Sequence, residues 1–348
     1  MGGFLREHWK ELVGFLAGAC LLVFVLATSD LGKVVDGFRH FNYALVPVLF
    51  GVIAGREAVR VVEWRLLLRN LGVRARWRHT ILALLSGDAA QLVPGGIYAS
   101  NLVLKREEDA NVARSLAATL ATQLLEAFVC LAVLTAFGVY GWPWMRPVAA
   151  AVLAGFIGFL ILVTRPAVSE WLEEHGGGGG LLDRLRDGLK QFLQGVEGLI
   201  DDPWLITRAV FLAAAHLAFT VAGLYVITQA LGIRNIGWTS VAAIYAFVLA
   251  LVNLNPLPTD IGVSEGSGMS IFVASGVDQS QGLTAMLLIR FAIILSTLVL
   301  LLIALAVFPR ELKHLTEGAN PEDAKANAEA DPNSDVDPTE LTAEAKTA

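Results

Sequence analysis

Apolar residues run in long blocks along this chain, and a helix needs about 20 of them to cross a bilayer core. Seven blocks meet that length with few charges, at roughly 11 to 30, 41 to 62, 112 to 138, 146 to 164, 205 to 231, 236 to 254 and 282 to 308. Two further segments, 79 to 104 and 255 to 276, are apolar but interrupted by Pro, Gly and acidic residues. Between 164 and 205 the pattern changes. Leu182, Leu185, Leu189, Phe192, Val196 and Leu199 recur at spacings of three and four, the stripe of an amphipathic helix. Such a helix suits either the membrane surface or the ends of neighbouring helices. The pattern predicts an all-α polytopic membrane protein of about eight transmembrane helices, with two broken or re-entrant segments and an internal repeat.

Composition agrees: 55% hydrophobic against 17% charged residues, with mean hydropathy +0.61, places the chain outside the soluble class. Charge then orients it. Arg56, Arg60, Arg65, Arg69, Arg74, Arg76 and Arg78 face only Glu57 and Glu63 in that stretch, which marks this side as cytoplasmic. Arg6 and Lys10 before the first span, and Arg310 and Lys313 after the last, put both termini inside and the number of crossings even. One interrupted segment would then cross while the other dips in and returns, and the basic residues of 165 to 206 lean toward the second as the crossing one. The expected location is the plasma (inner) membrane, multi-pass, with a cytoplasmic N-terminus and a retained first span.

The formal net charge of -6 belongs to the end of the chain. Residues 311 to 348 hold ten Asp and Glu against three Lys, which is -7 and leaves +1 for the rest. Without an apolar period that stretch cannot offset the entropy of ordering, so it reads as a disordered acidic tail. The expected organisation is a transmembrane domain at 1 to 310, a cytosolic or surface amphipathic insertion at about 170 to 203, and the tail at 311 to 348. Cys20 and Cys130 sit alone in apolar blocks, so neither a disulfide nor a metal site is expected, and nothing calls for a cofactor or nucleic acid.

The two interrupted segments resemble each other. PGGIYAS at 94 to 100 and PTDIGVS at 258 to 264 align without gaps, with Pro, Ile and Ser at the same offsets. Thirty-two residues beyond each Pro stand Glu126 and Arg290, each an ionisable group in an apolar span. Irregular backbone at membrane depth survives only where protein or a water-filled cavity satisfies it. Paired breaks in corresponding halves therefore point to a central site. Pro94, Gly95 and Gly96 break the first segment, and Pro256, Pro258 and Gly262 the second.

At these residues the chain resembles the lysylphosphatidylglycerol synthase transmembrane family, a flippase-like membrane domain found alone or fused to aminoacyl-lipid synthases or glycosyltransferases. PLPTDIGVSE at 256 to 265 is similar to the family signature Pro-x-Pro-Gly-Gly-Ile-Gly-x-x-Glu, and Arg290 stands where the family has a late helical Arg. EWRLL at 63 to 67 is another familiar element, as is Glu126, where the family usually has Asp. Thr259 and Asp260 replace the usual Gly-Gly, and the first-half Gly-Glu-x-x-Arg gives way to Tyr98, Ala99, Ser100 and Asn101, so the substrate is not carried over. The resemblance covers nearly all of 10 to 310. It implies moving a lipid, or supporting a lipid pathway, rather than aminoacyl transfer, for which the sequence has no soluble domain.

Several side chains are candidates for binding or translocation. Arg290 in AMLLIRFAIIL costs at least about 2.5–3.5 kcal/mol if inserted unpaired, so it needs a partner, Glu126 or Glu265. A guanidinium suits a lipid phosphate through paired hydrogen bonds, and equally a structural ion pair. Asp260 and Glu265 suit a substrate cation, a proton relay or the cap of a half-helix. Asp88, Ser100 and Asn101 belong to the first broken segment. Arg56 and Arg60, four residues apart, suit a path for an anionic headgroup or simple contact with headgroups at the interface. His216 reads as a packing residue, and Trp142 and Trp144 as interfacial aromatics.

The leading functional reading is a lipid translocase or carrier for an anionic phospholipid or a polyprenyl-phosphate-linked lipid, serving a separate glycosyltransferase or lipid synthase. An intramembrane headgroup-modifying enzyme and a non-transporting scaffold are the alternatives. No catalytic motif such as His-x-x-x-His, Gly-x-Ser-x-Gly or a P-loop occurs, so no enzymatic role is expected.

Overall fold

The computed structural model describes residue 27 and residues 30–90, 99–108, 111–139, 142–163, 202–254 and 262–308. The first span at 11 to 30, the amphipathic stripe at 182 to 199 and the acidic tail lie almost wholly outside these residues. The described chain forms ten α-helices: α1 Leu31–Arg39, α2 Val46–Asn70, α3 Trp77–Ala89, α4 Ala99–Glu108, α5 Val112–Phe137, α6 Met145–Val163, α7 Pro203–Ala230, α8 Trp238–Leu254, α9 Val263–Ala274 and α10 Gln279–Val307. Among the described residues there is no strand. The protein is an all-α polytopic membrane protein, as the apolar blocks predict.

Local chemistry sets the helix starts. Asp202 Oδ1 accepts from the N–H groups of Trp204 and Leu205 at 3.0 and 3.2 Å, with Pro203 in the first turn of α7. Asn111 Oδ1 does the same for Ala113 and Arg114 at the start of α5. By length and composition α5, α7 and α10 are each sufficient to cross a membrane. Helix α2 is 25 residues long but carries Arg56, Glu57, Arg60, Glu63, Arg65 and Arg69. Of these, Arg56, Glu57, Glu63 and Arg65 are buried, as are Ile53, Trp64, Leu67 and Leu68 on the same helix. Large apolar side chains such as Phe159, Phe211, Phe291 and Leu295 point outward instead. Apolar outside and polar inside is the arrangement that lipid imposes.

Helix α2 packs along α7, and Gly55 permits it, because a Cβ there would lie 2.6 Å from Phe219 Cε1. Lipid gives no hydrophobic drive for helix association, so such close approaches supply the packing. Contacts divide the chain into two units, Met1–Leu301 and Leu302–Ala348, and the second is described only from 302 to 308, the end of α10 and one residue beyond.

Hydrogen bonds and close contacts identify two ends of the bundle. At the first, Asn42 N–H donates to Ala230 O at 3.4 Å, and Asn235 Nδ2 to Gly276 O at 3.1 Å. At the second, a Cβ on Gly72 would meet Arg114 at 3.3 Å, and α2 and α7 frame a recess holding Arg65, Arg69, Trp77, Arg208 and Phe211. Helices α3 and α4 pack on each other, and their hairpin leaves and returns to the second end, between Gly72 and Arg114. Helices α8 and α9 pack likewise, leaving and returning to the first end, between Asn235 and Gly276. At 1.5 Å per residue α3 and α9 are about 20 Å and about 18 Å long, short of a ~30 Å hydrocarbon core.

The first hairpin closes on a glycine. A Cβ on Gly87 would stand 2.8 Å from Ser100 Cβ and 3.0 Å from Ser100 N, and backbone cannot rotate away as a side-chain tip can. Gly87→Ala is therefore expected to pry α3 from α4 and destabilise the protein by about 1–3 kcal/mol. Thermal unfolding in detergent measures this, and an unchanged midpoint would refute the close packing.

Candidate functional site

One site gathers at the start of α9. Gly262 adopts φ 81°, a conformation that L side chains rarely take, and its N–H donates to Glu265 Oε2 at 2.7 Å. The other carboxylate oxygen of Glu265 accepts from Arg290 Nη1 of α10. Glu265 thus caps a short helix and holds a guanidinium at once. Its side chain is 1% exposed, while that of Arg290 keeps 21%. Of the two partners expected for Arg290, the structure selects Glu265.

A second, larger group of charges lies on α2. Arg56 pairs with Glu57, whose Oε1 also accepts from Thr297 Oγ1 of α10 at 3.3 Å. Arg60 approaches Asp88 of α3 at 3.4 Å, with side chains 11% and 6% exposed. Glu126 of α5 lies 3.1 Å from Nδ1 of His216 on α7. Glu63 is fully buried, and neither of its carboxylate oxygens has a hydrogen-bond partner among the described residues. Five helices thus converge on one polar interior. Arg290 and Thr297 are seven residues apart on α10, hence on one face and about 10 Å apart along the axis, so a single face of α10 serves both sites.

Sequence reasoning left Arg56 and Arg60 between a headgroup path and the interface; the structure turns both inward. Asp88 and Glu126 are buried, as a central role requires. Ser100 and Asn101 are buried at the start of α4, where Asn101 Oδ1 accepts from Thr119 Oγ1 at 3.3 Å. Asp260, Pro94, Gly95, Gly96, Pro256 and Pro258 lie outside the described residues. Glu57, Glu63 and Thr297 were missed. The spacing of Arg56, Glu57, Arg60 and Glu63, mixed charges at helical intervals within one apolar block, was the available signal for the first two. His216 does pack with a partner, but that partner is a carboxylate. Trp142 and Trp144 stack with centroids 5.7 Å apart, Trp144 being exposed, as interfacial aromatics do.

A comparison with curated proteins finds none that matches the chain. The family profile described as Lysylphosphatidylglycerol synthase TM region matches residues 12–311. That range takes in both hairpins, both charge groups and every described helix, and suggests a membrane protein of lipid metabolism. The resemblance first carried by the PLPTDIGVSE segment therefore holds over most of the sequence, and the chain belongs to the Lysylphosphatidylglycerol synthase TM region family.

Proposed function

We propose that this protein is a lipid translocase or carrier, which binds an anionic lipid in its polar interior and passes it between leaflets without changing it covalently. The observation that carries this reading is the group of buried charges shared by α2, α3, α5, α7 and α10, flanked by two helix pairs, α3 with α4 and α8 with α9, that begin at opposite ends of the bundle. Their spacing supports an inverted repeat. The 164-residue offset that relates Pro94 to Pro258 also carries α4, starting at Ala99, onto α9, starting at Val263. It takes Ser100 to Ser264, both buried in a first turn, and Glu126 to Arg290, each beside an ionisable partner, His216 and Glu265. Inverted repeats with discontinuous helices place a substrate site near the midplane and give it two equivalent routes of access.

In this reading both hairpins are re-entrant, and α2, α5, α6, α7 and α10 cross together with the span at 11 to 30. The second end is cytoplasmic, since Arg65, Arg69, Arg74, Arg76, Arg78, Lys105, Arg106, Arg114 and Arg208 gather there. The N-terminus is then cytoplasmic and the membrane the plasma membrane. Arg290, with a fifth of its side chain open and Glu265 fixing its orientation, supplies donors for a lipid phosphate. The ligand is a phosphate ester on an apolar tail, an anionic phospholipid or a polyprenyl-phosphate lipid. A separate glycosyltransferase or lipid synthase makes or consumes it.

Proteoliposomes carrying fluorescent phosphatidylglycerol, polyprenyl phosphate or phosphatidylcholine test this. The protein should move an anionic lipid faster than phosphatidylcholine, and Arg290→Gln should slow it about tenfold, the loss of ~1.4 kcal/mol. Rates equal to those of empty liposomes for every lipid would overturn the proposal. A covalently altered lipid in mass spectra would favour the intramembrane enzyme instead.

A further inference from the structure

The polar interior around α2 is out of charge balance. Among the described residues it contains four carboxyl groups, Glu57 and Glu63 of α2, Asp88 of α3 and Glu126 of α5, against two guanidiniums, Arg56 and Arg60. His216 of α7 and the hydroxyl of Thr297 of α10 complete the group. Even a charged His216 would leave one negative charge in excess, and a net charge at membrane depth costs several kcal/mol, on the order of 2.5 or more.

Burial indicates how the excess is removed. Glu57 and Asp88 are both buried, each beside a guanidinium of α2, and Glu57 Oε2 has no hydrogen-bond partner among the described residues, a place that suits an acid better than an anion. Glu63 is wholly buried and has no hydrogen-bond partner for either oxygen among the described residues. A carboxylate in that position needs a counter-charge, and a carboxylic acid does not. Among the described residues no three His, Cys, Asp or Glu side chains converge as a metal would require, which favours protons over a metal cation.

We propose that this cluster is a proton-binding site, in which Glu57 and Asp88 share one proton and Glu63 carries a second, and that exchange of these protons with the two sides of the membrane drives lipid movement. The site itself stands on the cluster alone. Its coupling to lipid movement rests on the translocase reading.

Infrared spectra of the full-length protein in phosphatidylcholine vesicles, taken in H2O and D2O from about pH 5 to about pH 9, read the carboxylic acid carbonyl band directly. The wild-type protein should show deuterium-sensitive acid bands at neutral pH. Glu63→Gln, which keeps shape and removes the acid, should lose one of them, and Asp88→Asn should lose another. A wild-type spectrum without acid bands, or a Glu63→Gln spectrum that keeps them all, would overturn the site. Bands abolished by sodium at constant pH would replace the proton with a metal cation.

A pH gradient imposed across vesicles containing fluorescent phosphatidylglycerol should accelerate its movement by the wild-type protein severalfold, an acceleration missing in Glu63→Gln. Movement indifferent to the gradient, with acid bands present, overturns the coupling and keeps the site. Acid bands with no lipid movement at all overturn the translocase reading, so the two failures are distinguishable.

Discussion

Glu265→Ala should be among the most damaging single substitutions in this protein, lowering stability by about 3–5 kcal/mol. The side chain does two things at once, accepting from the N–H of Gly262 and from Arg290. Removing it leaves a guanidinium in the membrane interior without this anion and a backbone donor at a helix start without its acceptor. Glu265→Gln should cost less, since an amide oxygen still serves the Gly262 N–H while the ion pair is lost. Pairing Glu265→Ala with Arg290→Ala tests the cause. The double variant should be clearly more stable than the two single losses added together, because the guanidinium that Glu265 pairs is removed with it. Thermal unfolding of the four proteins in the same detergent decides it. Additive losses would mean that Glu265 acts through the cap alone.

Arg60→Met should lower stability by a similar amount, about 3–5 kcal/mol, for a related reason. It leaves Asp88 without the guanidinium 3.4 Å away, and Arg56 as the one guanidinium among the described residues of this group, against four carboxyl groups. The methionine fills much of the space of the arginine stem, so the loss reports charge rather than a cavity. Arg60→Met combined with Asp88→Asn should recover part of the stability, because the carboxyl group that Arg60 faces is removed with it. Urea or thermal denaturation of proteins in detergent gives the comparison, and a double variant no better than Arg60→Met alone would show that the pair is not coupled.

Most helices were legible because the lipid requirement is written as length and apolarity. The blocks at 112 to 138, 205 to 231 and 282 to 308 correspond within a few residues to Val112–Phe137, Pro203–Ala230 and Gln279–Val307. Helix α2 was harder to bound, because its buried charges look in sequence like the end of a span. The block at 41 to 62 stops where charges accumulate, whereas the helix runs from Val46 to Asn70. Apolarity sees which residues avoid water, but it does not see that a neighbouring helix supplies the partner that makes burial possible.

The candidate site was legible as a list and not as a set of pairs. Glu265 and Arg290 stood out because ionisable groups are costly in an apolar span. Whether Arg290 meets Glu126 or Glu265 depends on which helices touch, and Glu126 proves to belong to His216. Glu63 and Thr297 carried no signal of that strength. A glutamate near a run of arginines reads as a solvated charge, and a threonine in a helix reads as filler.

By itself the sequence determined that the chain lives in lipid, where its long described helices lie, and which family it belongs to. These are local properties, set by apolar runs, by Pro and Gly, and by a contiguous signature. Tertiary structure alone decided to which ends of the bundle α4 and α9 lead, that the charges of α2 turn inward, and which acid meets which base. Each depends on the side of the bundle to which a turn returns and on the rotation of each helix about its axis. Both are set by packing such as Gly87 on Ser100 and Gly55 on Phe219, between residues far enough apart in the chain that no local pattern joins them.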